Sequence, residues 1–228
     1  MSPGSPLLSE KTKGRLEAFS DGVFAIVITL LVLELHVPTG RAHLASALAD
    51  EWPRYLGYFV SFSFIGGVWV AHSSVTHFIK AVDATLMRLN LVLLLFVSFL
   101  PFTTAIVATH LFVSFLPLDH VTLVQPGLSA ERLAVVLFGA NLTLAALMMY
   151  LVIRHIELTD ELAAADVAQA DLKGFAAGRR AAVVAQAVAT IIGIFVPAVA
   201  VVVYLVLSVF YFVDPLWVAR VGRRIGRS

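Results

Sequence analysis

Long apolar runs, charged only near their ends, set the pattern of this chain. A membrane helix needs about 20 mostly apolar residues, at about 1.5 Å each. Four stretches meet that requirement: 16–36, 55–79, 86–113 and 133–153. The first carries Glu17, Asp21 and Glu34 towards its ends. The third contains Pro101, which has no backbone donor, and this predicts a bend or local break there. The fourth holds Asn141 as its one strongly polar residue. From 181 to 213 there is no Lys, Arg, Asp or Glu. As one helix that run would measure about 50 Å, against a hydrocarbon core of about 30 Å. Pro197 lies mid-run, four residues after Gly193, and predicts two shorter spans, 180–196 and 198–213, joined by a tight turn. The pattern therefore predicts an all-α membrane protein of six transmembrane helices. A tail at 1–14 precedes the transmembrane domain at 15–213, and a basic tail at 214–228 follows it.

Composition agrees. Hydrophobic residues make up 60% of the chain and charged ones 14%, with a mean hydropathy of +0.92. A soluble domain carries about 25% charge and cannot hide this much apolar surface from water. An ordinary soluble enzyme, a disordered chain and a nucleic-acid module are excluded. The absence of cysteine excludes disulfides and thiolate chemistry.

The net charge of +1 says little, but the placement of charge says more. Lys11, Lys13 and Arg15 precede the first span. Lys80 and Arg88 lie around the loop from span two to three. Arg154, Lys173, Arg179 and Arg180 lie between spans four and five, and Arg220, Arg223, Arg224 and Arg227 in the tail. That places 13 of the 16 cations on one side, leaving Arg41, Arg54 and Arg132 for the other. By the positive-inside rule both termini are expected in the cytoplasm, which needs an even number of spans. The loop 155–180 is acidic and Ala-rich, with Glu157, Asp160, Glu161, Asp166 and Asp171, and is predicted to be helical, extending span four.

Charge inside a span is costly and usually functional. Asp21 stands about one turn into span one. The topology offers partners at its depth: Trp69, His72 and His77 at the same end of span two, Asn90 at the start of span three, and Arg15 and Ser20 nearby. Two readings stand. Either these residues form a buried polar network joining spans one to three, or Ser20 and Asp21 cap a helix start. His72 and His77 are poorly placed as a metal pair, because i, i+5 spacing does not align them as i, i+4 does. Along span one, Phe19, Gly22, Ile26, Thr29, Leu30 and Leu33 fall within about 100° of arc, a single stripe that any apolar helix turned to lipid or neighbours also shows. Glu34 faces an aqueous vestibule or pairs with Arg54.

No TVGYG-type filter loop, GxxxxGK[ST], HExxH or GxSxG occurs, and no span carries the mid-membrane Asp, Glu or Lys of proton-coupled transporters. No nucleophile, base and orienter assemble at one depth, so no enzyme, catalytic residue or cofactor is expected.

The segment Arg15-Leu-Glu-Ala-Phe19-Ser20-Asp21, opening a membrane helix, resembles the first helix of the transmembrane protein 175 family. Trp69-x-x-His72 and the stretch from Asn90-Leu91 to Leu100-Pro101-Phe102-Thr103-Thr104 fit the same family. The resemblance covers spans one to three; the later spans fit only in number and hydrophobicity. It implies a potassium channel of the bacterial six-span type in the cell membrane, assembled as a homotetramer, with the first helix lining a central pore. Matched by spacing from the FSD tripeptide, it implies Ile26 as the main hydrophobic constriction, Thr29 as a hydroxyl ring, and Leu30 and Leu33 as further apolar layers. Arg15, Phe19, Ser20, Asp21, Trp69, His72, His77 and Asn90 are then the polar network that holds the pore helix. The implied partners are potassium ions, passing transiently, membrane lipid and further copies of the chain. A secondary ion transporter and a non-conducting membrane scaffold are the competing functions.

Overall fold

The computed structural model describes residues 10–35, 37, 44–111, 129–164 and 169–213. Arg41, the end of the third run beyond Leu111, Asp166 and the basic tail 214–228 lie outside the described residues, as do the side chains of Lys11, His77 and Asp171. Helix α1 spans Glu10–Leu31, beginning six residues before its apolar run, and closes with a 3-10 turn at Val32–Glu34. A two-turn helix α2, Leu44–Asp50, is too short and too mixed in pattern to have been expected. Helix α3, Trp52–His77, has Pro53 in its first turn, where a missing N–H costs nothing.

Helix α4, Ala84–Ser98, is capped by Asp83, whose carboxylate accepts from the Leu86 N–H. The predicted break near Pro101 falls at Phe99, and the chain resumes as α5, Leu100–Leu111. The cause is local: Pro101 has no N–H for the Val97 carbonyl four residues back, and that carbonyl accepts from Phe99 instead. Helix α6 spans Ala130–Leu158, α7 Gln169–Phe195 and α8 Pro197–Val213.

Among the described residues, five segments are long and apolar enough to cross a membrane: Thr12–Glu34, Trp52–Thr76, Ala84–His110, Ala130–Leu158 and Leu172–Phe195. Helix α8 is apolar but shorter, at 17 residues or about 25 Å. The turn expected at Pro197 is present. Thr190 meets Tyr204 near the turn, and Arg179 meets Tyr211 further from it, so α7 and α8 run antiparallel.

The loop 155–180 differs from expectation. Helix α6 extends past its apolar run only to Leu158, and helix resumes at Gln169 as the start of α7. Between them the chain makes an antiparallel bridge: Lys80 N–H donates to the Leu162 carbonyl at 2.9 Å, and Ala164 N–H to the Phe78 carbonyl at 2.8 Å. A helix here would compete with these bonds for the same backbone groups. The bridge fastens the loop after α3 to the loop after α6. Two more ties lie at the same end. Lys13 Nζ donates to the Ile79 carbonyl at 2.8 Å, and His155 Nε2 lies 2.9 Å from the buried Asp83 carboxylate.

In the bundle, α1 packs on α3 and α4 and touches α5, α6 covers α4, α5 and α7, and α8 lies on α3 and α7. Helices α3 and α8 approach closely at Gly67, where an added Cβ would stand 3.1–3.2 Å from the Tyr211 and Phe212 backbone. Helix α1 thus sits at one edge of the bundle, with one face packed and one face bare.

Candidate functional site

The two faces of α1 differ sharply. Leu16, Ser20, Phe24, Val27 and Leu31 recur at i, i+4, i+8, i+11 and i+15 and are buried. The stripe singled out from sequence lies on the bare side. Phe19 is 55% exposed, Ile26 60%, Leu30 41% and Leu33 71%, with Gly22 and Thr29 exposed among them. The Thr29 hydroxyl donates to the Ile26 carbonyl at 2.8 Å. Its proton is committed to its own helix, so its oxygen faces outward as an acceptor only.

On the packed side, three buried polar side chains from three helices form one directed relay. His72 Nε2–H on α3 donates to Asn90 Oδ1 on α4 at 2.8 Å. Asn90 Nδ2–H donates to Ser20 Oγ on α1 at 2.9 Å, and Ser20 O–H donates to the Leu16 carbonyl at 2.8 Å. Every donor in this line meets an acceptor, which is what buried polar groups require. The Phe24 ring lies 5.6 Å from the His72 ring and closes the relay on its apolar side. The alternative reading of Ser20 and Asp21 as a helix cap fails. Both lie mid-helix, and Ser20 bonds backwards to a carbonyl rather than forwards to an N–H.

Asp21 stands apart from the relay. It is exposed, and its Oδ1 accepts from Trp69 Nε1–H at 2.9 Å. Trp69 is itself 41% exposed, so this α1–α3 tie lies at the surface of the bundle. Arg15 and Phe19 are also on that surface. Of the eight network residues predicted, the structure joins Ser20, His72 and Asn90 in one relay and Asp21 with Trp69 in another. Arg15 and Phe19 stay outside both. Arg54 pairs with Glu51.

Two buried anchors were not anticipated as contacts. Ser61 on α3 meets Thr104 on α5 at 2.6 Å, and Asn141 on α6 donates to Thr103 on α5 at 3.3 Å. The adjacent Thr103 and Thr104 just after the break were a visible signal: two neighbouring hydroxyls point to two different helices.

Residues 15–101 match the model of the family described as endosomal/lysosomal potassium channel TMEM175. A protein named potassium channel from Streptomyces collinus is 50% identical over 100 residues, covering 43% of this chain and 48% of that relative. The endosomal/lysosomal proton channel TMEM175 of Homo sapiens is 40% identical over 100 residues, covering 40% of this chain and 20% of that protein. The match spans about half the length of the bacterial curated relatives. The crystal structure of a lysosomal potassium-selective channel TMEM175 homolog from Chamaesiphon minutus superposes with a TM-score of 0.74 at 29% identity. That superposition covers 89% of this chain and 97% of the other. The resemblance read from the FSD segment is therefore shown over residues 15–101, which take in the first two spans and the first part of the third, and the likeness of fold reaches beyond them.

Proposed function

We propose that this chain, which carries the TMEM175 pattern over residues 15–101, is a potassium-selective channel that conducts passively across the cell membrane as a homotetramer. Each subunit contributes six spans, with α8 as the sixth, and both termini lie in the cytoplasm. Four α1 helices line one pore on the four-fold axis. The observation that carries this reading is the bare stripe of α1, set opposite a face pinned by the relay from Ser20 to His72. A helix held rigidly from behind, with a regular surface in front, suits a wall shared between copies.

The stripe suggests how permeation works. Four Ile26 side chains form a narrow apolar constriction that resists ions by dewetting, with Leu30 and Leu33 as further apolar layers. Four Thr29 oxygens stand one turn outward from Ile26 and replace part of an ion's hydration shell. Potassium sheds water more readily than sodium, so a filter with few oxygens still favours it, and only modest selectivity follows. Ser20, His72 and Asn90 hold the helix from behind. Asp21, Trp69, Phe19 and Arg15, on the subunit surface, meet the neighbouring copy.

The test is ion flux in liposomes holding the purified protein under a potassium gradient. The expected result is flux far above transporter turnover, with no coupled ion required. Flux that saturates at transporter rates and needs a co-ion gradient favours a secondary transporter. Flux that follows a proton gradient and ignores potassium contradicts the assigned ion. No flux at all favours a scaffold.

A further inference from the structure

A polar cleft of 170 Å³ opens between α6 and α7, on the end of the bundle that gathers most of the cations. Its charged lining is Arg154 and Glu157 from α6 and Lys173 and Arg180 from α7, with Tyr150 at its base. Each helix supplies its residues at i, i+4, i+7 spacing: 150, 154 and 157 on one, 173, 177 and 180 on the other. Two stripes therefore face each other across the gap. Ala176 and Ala177 keep the α7 wall low.

The cleft's depth follows from the sequence. Arg154 comes directly after the uncharged run 133–153, and Arg180 directly before the uncharged run 181–213. Both cations stand at the ends of uncharged runs. Lys173 lies two turns of α7 further out, about 10 Å. Glu157 is buried and held by Arg154 at 2.8 Å, which offsets one of the three positive charges and leaves two for a ligand. Helix α1 packs on α3, α4 and α5, so the cleft between α6 and α7 lies apart from the α1 stripe.

We propose that this cleft binds a phosphate group, presented by an anionic lipid headgroup. Its charge, its position at the ends of uncharged runs and its two-walled shape match a phosphodiester held between Arg154 and Arg180, with Lys173 reaching the outer part of the headgroup. The inference is independent of conduction, because a non-conducting protein with this fold has the same cleft.

The experiment titrates detergent-purified protein with phosphatidylglycerol, phosphatidylcholine or inorganic phosphate, and reads bound ligand by native mass spectrometry. Saturable phosphatidylglycerol binding is expected, at least tenfold tighter than phosphatidylcholine. Arg180→Gln should weaken it roughly fivefold and Lys173→Gln with Arg180→Gln roughly thirtyfold, since each surface cation near anionic lipid contributes a similar factor. Arg180→Lys should restore most of the affinity. Arg154 is left in place, because its loss would strand the buried Glu157. Arg88→Gln removes an exposed cation on α4, outside the cleft, and should change nothing. Competition by millimolar inorganic phosphate would make free phosphate a second source for the same site; indifference to it would assign the site to lipid alone. Binding that falls equally in Arg88→Gln, or that does not saturate, would overturn the cleft and leave only diffuse surface attraction.

Discussion

Replacing Ile26 with Asn is expected to raise potassium conductance roughly tenfold and to bring sodium permeability close to that of potassium. Each subunit places Ile26 on the bare face of α1, 60% exposed, so the change disturbs little of the subunit's own core. Surface substitutions of this kind stay within about 0.5 kcal/mol in stability. The effect falls on the pore. In the proposed tetrameric pore, four amide side chains would hold water where four branched alkyl groups expel it, and a barrier lowered by about 1.4 kcal/mol is a tenfold change in rate. Discrimination suffers because ions then cross hydrated and their dehydration costs no longer differ. Reversal potentials in bilayers with opposed potassium and sodium solutions read both effects. Unchanged current and unchanged reversal potential would remove Ile26 as the constriction.

The second large effect is expected from Asn90→Leu, which keeps the branching and heavy-atom count and removes the centre of the relay. Asn90 makes two interhelical bonds, to Ser20 and to His72. In a membrane such bonds average about 0.6 kcal/mol each and reach about 1.7. Their loss is unequal for the partners. Ser20 keeps its bond to the Leu16 carbonyl, whereas the His72 ring N–H loses its acceptor in a buried site. An unpaired buried donor costs about 1–3 kcal/mol. A total near 2 kcal/mol is expected, read as a melting temperature in detergent lower by roughly 4–8 °C. Asp21→Ala makes the contrast. Asp21 is exposed in the subunit, so its loss should spare the melting temperature and lower the yield of tetramer. If both variants melt alike and assemble alike, the division between a relay that holds α1 and a tie that meets a neighbour is wrong.

Features of the sequence carry different kinds of structural information. Spans are legible because each is a local excess of apolar residues, and Pro101 and Pro197 mark their breaks because a missing donor acts within one turn. Depth along a span is legible too, which is why Ser20, His72 and Asn90 could be matched across three helices before any contact was seen. Azimuth is harder. Ser20 and Asp21 are adjacent yet about 100° apart around α1, and nothing local says which of them faces α4. The structure turns Ser20 inward and leaves Asp21 on the surface with Trp69. The bridge between the chain at 78–80 and at 162–164 was illegible because it is made of backbone groups, which carry no side-chain signature. Helix α2 was missed because seven residues give too few turns for a period to show. The pairing of Asp83 with His155 joins residues 72 apart, and no pattern in either segment points to the other.

In the proposed channel the stripe of α1 is the wall of a water-filled ion path. The chain contains no cysteine, so each introduced thiol reports on one position alone. Thr29→Cys and Leu33→Cys lie on the stripe, while Val27→Cys and Leu31→Cys lie on the packed face. Only a thiol that reaches water forms the thiolate that attacks a charged thiosulfonate, forming a mixed disulfide and releasing sulfinate. The measurement is potassium current through each variant before and after a cationic, membrane-impermeant thiosulfonate. Modification is expected to remove most of the current through Thr29→Cys and Leu33→Cys and to leave Val27→Cys and Leu31→Cys unaltered. Robust current through Thr29→Cys and Leu33→Cys that the reagent never touches would contradict it, and would turn the stripe outward to lipid.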